Sequence, residues 1–467
     1  MRKRVHFIGI CGVAMATLAA LLRRRGADVS GSDQSVYPPM SDFLVREGIA
    51  ILDGYRSEHI TDDVDLVVVG NAISRGNVEL EEVLDRRIRY ASLPEVVRDE
   101  FLWAARPVVI AGTHGKTTTT ALAAWVLTHA GLDPSALIGG IAANFDSGCR
   151  LGAGAPFVIE GDEYDSAYFD KTAKFLKYIP EVAVVNNVEF DHADIYPDLD
   201  AILLAFRRFV LLVPRNGLLL LGGDDRHAPS LAAAARCRVA TFGTGESCTW
   251  RAKEIVASAA STHFTVYHEG AEYGRFEVPL LGSHNVRNAL AVVAIGNHFG
   301  LEPAVVAAGL RAFLGVKRRL ELRGEVAGVA VFDDFAHHPT AIAETLRAVR
   351  QAHPGQRVWA VFEPRSATSC LKLFESGFAA ALGEADVVVI AAVFRSSLPE
   401  DTRLDPVALV ARMTSDGREA YYVPTTAGIV DLLAERTRKG DLIVIMSNGG
   451  FDNVHGKVLD RLRRDRF

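Results

Sequence analysis

Short apolar runs recur along the chain, and each one ends in glycine, asparagine or an acid. The first is VHFIGI (residues 5–10), followed by a glycine turn and an apolar stretch of helical character that runs to Arg25. DVSGSD and DLVVVGNAIS are the next two predicted strands. PVVIA (107–111), PFVIEGDEYD (156–165), EVAVVNNVEFDH (181–192) and GLLLLGGDD (217–225) repeat the pattern of an apolar run closing on polar residues. From Gly324 onward GVAVFDD, RVWAVFEP, ADVVVIAAV and DLIVIMSN do the same. Unbroken apolar runs suit strands covered on both faces. Their alternation with helical segments predicts parallel α/β units. Residues 241–279 differ: runs such as THFTVYHEG alternate, which predicts added β structure, and GSHNVRNALAVVAIGNHFG then predicts a helix.

These elements divide into three α/β domains. Residues 1–104 form a Rossmann-like unit. Residues 105–323 form a central domain built around a phosphate loop with added β structure. Residues 324–467 form a second Rossmann-like unit.

Composition narrows the partners. Of the 467 residues, 49% are hydrophobic and 23% charged, with a net charge of −6. That is a globular balance with no long basic run, which argues against nucleic-acid binding. Cys11, Cys149, Cys237, Cys248 and Cys370 are scattered and odd in number. They predict neither a disulfide framework nor a zinc cluster, and a reducing, cytoplasmic setting. The start, MRKRVHFIGICGVAMATLAALLRRRG, has the basic residues and apolar stretch of a secretory signal, but it carries glycines and ends in three arginines. Strand, turn and helix account for it better, and no stretch elsewhere predicts membrane insertion. Nothing in the sequence sets an oligomeric state.

The chemistry concentrates at strand ends. VVIAGTHGKTTTT places Gly112, Thr113, His114, Gly115, Lys116, Thr117 and Thr118 between a buried strand and a helix. This is a phosphate loop one step short of G-x-x-x-x-G-K-[ST], because Ile110 stands where the first glycine belongs. Lys116 suits the β- and γ-phosphates and the Thr117 hydroxyl a Mg²⁺ ion. A capped helix start alone does not explain glycine, lysine and threonine together. Glu160, Asp162 and Glu163, and then Asp191 and His192, close neighbouring runs and predict metal ligands at the same sheet edge. Taken singly, each would be an ordinary solvated loop residue.

Other stretches carry weaker signals. Gly9, Ile10, Cys11 and Gly12 open a helix after a strand, and Asp33 ends the next one. This is the layout of a mononucleotide-binding half without the full glycine pattern. His284, Asn285 and Asn288 start a helix, where amides either cap it or read an adenine edge. Arg319 lies in a basic triplet at the junction of the second and third blocks. Asp334 and His337 sit in DDFAHHPT, at the end of a strand.

Taken together, GTHGKTTTT, EGDEYDSA, NNVEFDH, GSHNVRNAL and DDFAHHPT resemble the Mur ligases, over nearly the whole chain and in the expected domain order. In that family the short form G-T-x-G-K-T is the phosphate loop. The resemblance implies ATP- and Mg²⁺-dependent amide-bond formation in peptidoglycan synthesis, through an acyl phosphate. It implies ATP contacts from residues 112–118, His284, Asn285, Asn288, Arg319 and Asp334, and metal ligation by Thr117, Glu163 and His192. Lys116, Glu163, His192 and His337 would be the catalytic residues. Gly9 to Gly12, Asp33 and Asn71 would hold the UDP of UDP-N-acetylmuramate, and Arg365 and Ser366 the acceptor. GSDQSVYPPMSDFL, VVVGNAISRGN, FEPRSATS and MSNGGFDNVHGKVLD are similar to members that add the recycled murein tripeptide L-alanyl-γ-D-glutamyl-meso-diaminopimelate. The alternative acceptor is free L-alanine. The helical segment after Asp191-His192 has arginines but no lysine, unlike members that use a carbamylated lysine there.

Overall fold

The structure, a computed structural model, describes residues 2–34, 36, 40–394 and 398–466. Residues 35 and 37–39 of the stretch GSDQSVYPPMSDFL lie outside the described residues.

The N-terminal sheet has five parallel strands: β1 (Arg4–Ile8), β2 (Asp28–Asp33), β3 (Ala50–Asp53), β4 (Leu66–Val69) and β5 (Tyr90–Ser92), in the order β3-β2-β1-β4-β5. β3 has no apolar run to announce it. It is an edge strand with no buried residue, held by its register with β2. The helix Val13–Arg24 buries the residues from Met15 to Leu22, which is why this stretch reads as almost uniformly apolar.

The central sheet contains β6 (Arg106–Ala111), β7 (Ser135–Ala142), β8 (Ser147–Arg150) and β9 (Pro156–Gly161). A separate hairpin, β10 (Asp165–Ala167) with β11 (Asp170–Ala173), follows. β12 (Val182–Val185), β13 (Leu218–Gly222), β14 (Arg238–Gly243), β15 (Trp250–Ala257), β16 (Thr262–His268) and β17 (Ala271–Val278) complete the sheet. Its order is β17-β16-β15-β14-β13-β12-β6-β9-β7-β8, with the alternating segment as the antiparallel pairs β15·β16 and β16·β17. Register decides where the chemistry goes. Ala111 pairs with Val185 on one side and with Gly161 on the other. The segments that follow these three strands therefore leave the sheet at one level.

The third sheet contains β18 (Glu321–Val326), β19 (Val329–Asp334), β20 (Val358–Phe362), β21 (Val387–Ile390), β22 (Glu419–Tyr422) and β23 (Leu442–Met446), in the order β18-β19-β23-β20-β21-β22. Its first strand begins at Glu321, across the boundary expected at 323/324. Met446 pairs with both Asp334 and Phe362. DDFAHHPT, EPRSATS and SNGGF thus emerge side by side. Trp359 is fully buried, and its indole N–H donates to Asp441 Oδ2 at 2.8 Å, which satisfies the one polar atom that its burial carries inward.

Candidate active site

The carboxyl edges of the second and third sheets face each other across a cavity of 380 Å³. Its floor is the loop between β6 and the helix Lys116–His129. Both loop glycines are required by geometry. Gly112 has φ +128°, and a Cβ there would lie 2.9 Å from the Asn186 backbone nitrogen. Gly115 has φ +81°, and a Cβ there would lie 2.6 Å from Asn288 Oδ1. Asn187 Oδ1 accepts from the His114 N–H at 2.7 Å, and Asn186 Nδ2 donates to the His114 carbonyl at 3.2 Å. The loop is therefore braced from β12's end. No side chain caps the helix that follows, so its first-turn N–H groups are available to an anion.

Lys116 Nζ donates to both Glu163 oxygens at 2.8 Å. Burial alone would push the Lys116 ammonium pKa down, but Glu163, Asp162 and Glu160 outweigh it and hold the value above that of an ordinary lysine. His192 Nε2 lies 2.9 Å from Glu163 Oε1. Burial lowers the His192 pKa, and the Glu163 hydrogen bond and charge more than reverse that, so it is raised. His192 also adopts φ +55°, a backbone conformation a histidine takes only where its surroundings impose it. Its N–H donates to Asp191 Oδ1 at 2.7 Å, and Thr368 of the C-terminal domain donates its hydroxyl to that same oxygen.

The three expected metal ligands do not share one point. Thr117 Oγ1 donates to Glu160 Oε1 at 3.2 Å and accepts from Arg319 Nη2 at 3.0 Å. Glu163 and His192 instead pair beside Lys116. Glu160, whose other oxygen accepts from the Gly139 N–H at 2.9 Å, is the carboxylate next to Thr117. Burial raises its pKa against the pull of Lys116 and Arg319. A hydroxyl and a carboxylate are the hard oxygen donors that Mg²⁺ takes, and both fit at this position. Asn186 Oδ1 and Asn448 Oδ1, from residues lining the same cavity, are buried with no hydrogen-bond partner among the described residues. The donors and orphaned acceptors suit a polar, anionic ligand with its cation.

Asn285 and Asn288 lie one turn apart and are buried. Asn288 Nδ2 donates to Asn285 Oδ1 at 3.0 Å, and Asn285 Nδ2 to the Leu281 carbonyl at 2.8 Å. His284, beside them, faces Glu344 of the C-terminal domain at 3.3 Å. Left-handed backbone at Arg318 and Leu320 brackets Arg319, which lines the cavity with its guanidinium 4.8 Å from the Phe335 ring centroid. Burial pushes the Arg319 pKa down against Asp334 and Glu160. Asp334 accepts from the Leu320 and Ala336 N–H groups at 2.6 and 2.7 Å, and burial raises its pKa. His337 lines the cavity, and burial lowers its pKa.

The acceptor candidates separate. Ser366 lines the cavity and its hydroxyl donates to Ser369 Oγ at 2.9 Å. Arg365 lies behind it, with its guanidinium 3.7 Å from the Phe394 centroid. Gly9, Ile10, Cys11, Gly12, Asp33 and Asn71 are elsewhere, at the carboxyl edge of the N-terminal sheet. Gly9 and Ile10 donate to the Ser32 carbonyl at 2.9 and 3.0 Å, Asp33 Oδ2 accepts from the Cys11 N–H at 2.9 Å, and Asn71 is exposed. The β7·β8 hairpin connects the two regions. A Cβ on Gly148 would touch Thr17 of the first helix at 3.1 Å, and one on Gly140 would touch Thr117 at 3.1 Å. The sequence patterns missed Asn186, Asn187 and Thr368. The first two stand in the polar tail of EVAVVNNVEFDH, where their role could have been suspected. Thr368 acts through a neighbour 177 positions away.

Three α/β domains around a phosphate-loop cavity are the build of a nucleotide-dependent ligase. The chain belongs to the Mur ligase family, whose members are ATP-dependent, amide-bond-forming ligases: residues 4–100 match the Mur ligase family catalytic domain, 110–296 the Mur ligase middle domain, and 318–449 the Mur ligase glutamate ligase domain. It is 41% identical to the UDP-N-acetylmuramate–L-alanyl-γ-D-glutamyl-meso-2,6-diaminoheptandioate ligase of Escherichia coli K12, over 99% of this chain and 98% of that one. Among solved structures, a murein peptide ligase from Psychrobacter arcticus superposes with a TM-score of 0.73 at 35% identity, over 99% of each chain. A UDP-N-acetylmuramate-alanine ligase from Thermotoga maritima superposes with a TM-score of 0.82 at 25% identity, over all of both chains. Its higher score at lower identity reflects shared architecture, which does not distinguish acceptors. No helix among the described residues is long and apolar enough to cross a membrane.

Proposed function

We propose that this protein joins the lactoyl carboxylate of UDP-N-acetylmuramate to the alanine amine of the tripeptide L-alanyl-γ-D-glutamyl-meso-diaminopimelate, in the cytoplasm, with cleavage of ATP to ADP and phosphate. One observation carries the choice of acceptor. EPRSATS and SNGGF, which lie in two of the stretches similar to tripeptide-adding members, form a single unit beside the cavity. A Cβ on Gly449 would lie 2.1 Å from Arg365 Nε, and Ser447 Oγ donates to Glu363 Oε2 at 2.5 Å. Glycine at 449 is what lets Arg365 lie there. The greater identity to the tripeptide-adding relatives points the same way.

In this reading residues 1–104 hold the UDP-sugar, with Gly9 to Gly12, Asp33 and Asn71 at its UDP. Residues 105–323 hold ATP, and 324–467 hold the tripeptide through Ser366 and Arg365. The helix N-terminus and Lys116 take the phosphates, Asn285 and Asn288 the adenine, Asp334 the ribose, and Arg319 a phosphate. Mg²⁺ would be held by Thr117 with Glu160, and by Glu163 with His192. It would supply charge neutralisation at the γ-phosphate. The sugar's carboxylate displaces ADP from the γ-phosphorus and becomes an acyl phosphate. The tripeptide amine then attacks the acyl carbon, loses a proton and expels phosphate. This needs alignment and electrostatic stabilisation more than covalent help from the protein. Lys116 neutralises the transferring group, and His337, which lines the cavity, would meet the reacting carboxylate. Contacts such as Thr368 to Asp191 join the C-terminal domain to the segment after β12.

The test fixes UDP-N-acetylmuramate, ATP and Mg²⁺ and varies the acceptor. Product with the tripeptide and little with L-alanine is expected. Turnover with L-alanine and none with the tripeptide would overturn the reading in favour of the alanine ligase.

A further inference from the structure

At the edge of the cavity, which His114 lines, two imidazoles converge on one carboxylate oxygen. His114 Nε2 lies 3.0 Å and His338 Nδ1 3.3 Å from Glu189 Oε2. One donor atom from each of the three residues lies within 4.8 Å of the others. A tetrahedral ion with bonds of ~2.0–2.1 Å sets its ligand atoms roughly 3.3 Å apart, so the two shorter separations are close to the edges of such a tetrahedron.

The surroundings favour metal over a simple hydrogen-bonded cluster. Thr340 Oγ1 donates to the other Glu189 oxygen at 3.0 Å, fixing the carboxylate and leaving Oε2 for the two rings. The Glu189 backbone N–H donates to Thr113 Oγ1 at 2.9 Å, which ties this residue to the loop that carries His114. His338 is buried, and its Nδ1, the ring nitrogen that faces Glu189, is otherwise approached by the Thr340 N–H in a long contact of 3.4 Å. Two imidazoles and a carboxylate are a donor set for a borderline divalent ion, whereas the Mg²⁺ positions proposed for ligation offer mainly oxygen donors and a single imidazole.

We propose that His114, Glu189 and His338 bind a divalent cation of the zinc class, and that the ion ties the phosphate loop and the end of β12 to the C-terminal domain. Three donors leave a fourth position for water or a ligand oxygen. The site is distinct from the Mg²⁺ positions proposed for ligation, and its test does not depend on turnover.

The probe is Co²⁺, titrated into the full-length protein without nucleotide and followed by visible ligand-field absorption, with Zn²⁺ competition and an excess of Mg²⁺ throughout. The expected result is one tetrahedral-type Co²⁺ per chain, displaced by Zn²⁺ but not by Mg²⁺. Glu189→Gln and His338→Gln should each weaken it by at least about tenfold, the lower end for lost metal partners. Circular dichroism checks that each variant is folded, and two independent ligand changes guard against one misfolding. His192→Gln, which alters the other imidazole–carboxylate pair, should leave the absorption in place. No absorption in the wild type, or absorption lost with His192→Gln but kept in both ligand variants, overturns the proposal.

Discussion

Lys116 and Glu163 form a buried ion pair in which one ammonium donates to both oxygens of one carboxylate, at 2.8 Å each. Their side chains are 12% and 2% exposed. In this arrangement the lysine proposed to take a phosphate is held by the acid beside it, so an incoming anion would compete with Glu163. Lys116→Ala should lower ligation by at least ~10²–10³-fold, the range for losing one preorganised donor. It should also destabilise the fold, by less than the ~3–5 kcal/mol of a buried charge with no partner, because Glu163 keeps His192 at 2.9 Å. Phosphate release and chemical denaturation measure the two effects. A variant with undiminished turnover removes Lys116 from the mechanism.

Gly115 fails any replacement twice over, through its φ of +81° and through the 2.6 Å approach of Asn288 Oδ1. Gly115→Ala should cost about 1–3 kcal/mol of stability, the range for a non-glycine residue in such a conformation. It should raise the KM for ATP more than that for the UDP-sugar, because Asn288 must move. Equal effects on both substrates would argue that the damage is global.

Thr368 donates to Asp191 across the domain boundary, and the His192 N–H lies 3.2 Å from the same hydroxyl. Thr368→Val keeps the shape and removes the donor. Losing this donor to a buried carboxylate, which keeps the His192 N–H, should cost about 1–3 kcal/mol in the closed arrangement. Steady-state kinetics should record a fall of roughly tenfold or more in kcat/KM. Unchanged kinetics would mean that this contact does not hold the productive form.

Glu344 makes a second bridge, from the helix Pro339–Ala352 to His284 and to Arg287, whose Nη2 lies 3.1 Å away. Burial opposes its ionisation, yet His284 at 3.3 Å and Arg287 win and bring its pKa from 4.5 to about 2. A carboxylate depressed in the folded state contributes stability that is full above its unfolded value and is lost as pH falls through the folded one. The stability advantage of the wild type over Glu344→Gln should therefore be complete above 4.5 and fade toward 2. Denaturation midpoints across that range test it, and a difference independent of pH would count against the bridge.

The three α/β units were legible because their strands are continuous apolar runs, a pattern forced by cover on both faces of a parallel sheet. The edge strand β3 was not, because none of its residues is fully buried and it is held mainly by pairing with β2, with Ile51 only partly covered. The phosphate loop was legible despite Ile110, since glycine, lysine and threonine have to follow a strand in that order to present backbone N–H groups and an ammonium to an anion. Glu160 could be seen as one acid among three in EGDE, but nothing local distinguishes the one that reaches Thr117 from the one that reaches Lys116.

What the sequence determined by itself is therefore local: where strands end, which turns need glycine, and which short motifs carry charge. What tertiary structure decided is which of these ends meet. Pairing of Ala111 with Val185 and Gly161 brings the loop, the acids and His192 to one level. Pairing of Met446 with Asp334 and Phe362 does the same for the facing domain. Left-handed backbone at Arg318 and Leu320 then turns the chain between them. Contacts such as Thr368 to Asp191, and the convergence of His114, His338 and Glu189, depend on distances between segments far apart in the chain. They are set by how whole sheets pack, which no spacing along the sequence encodes.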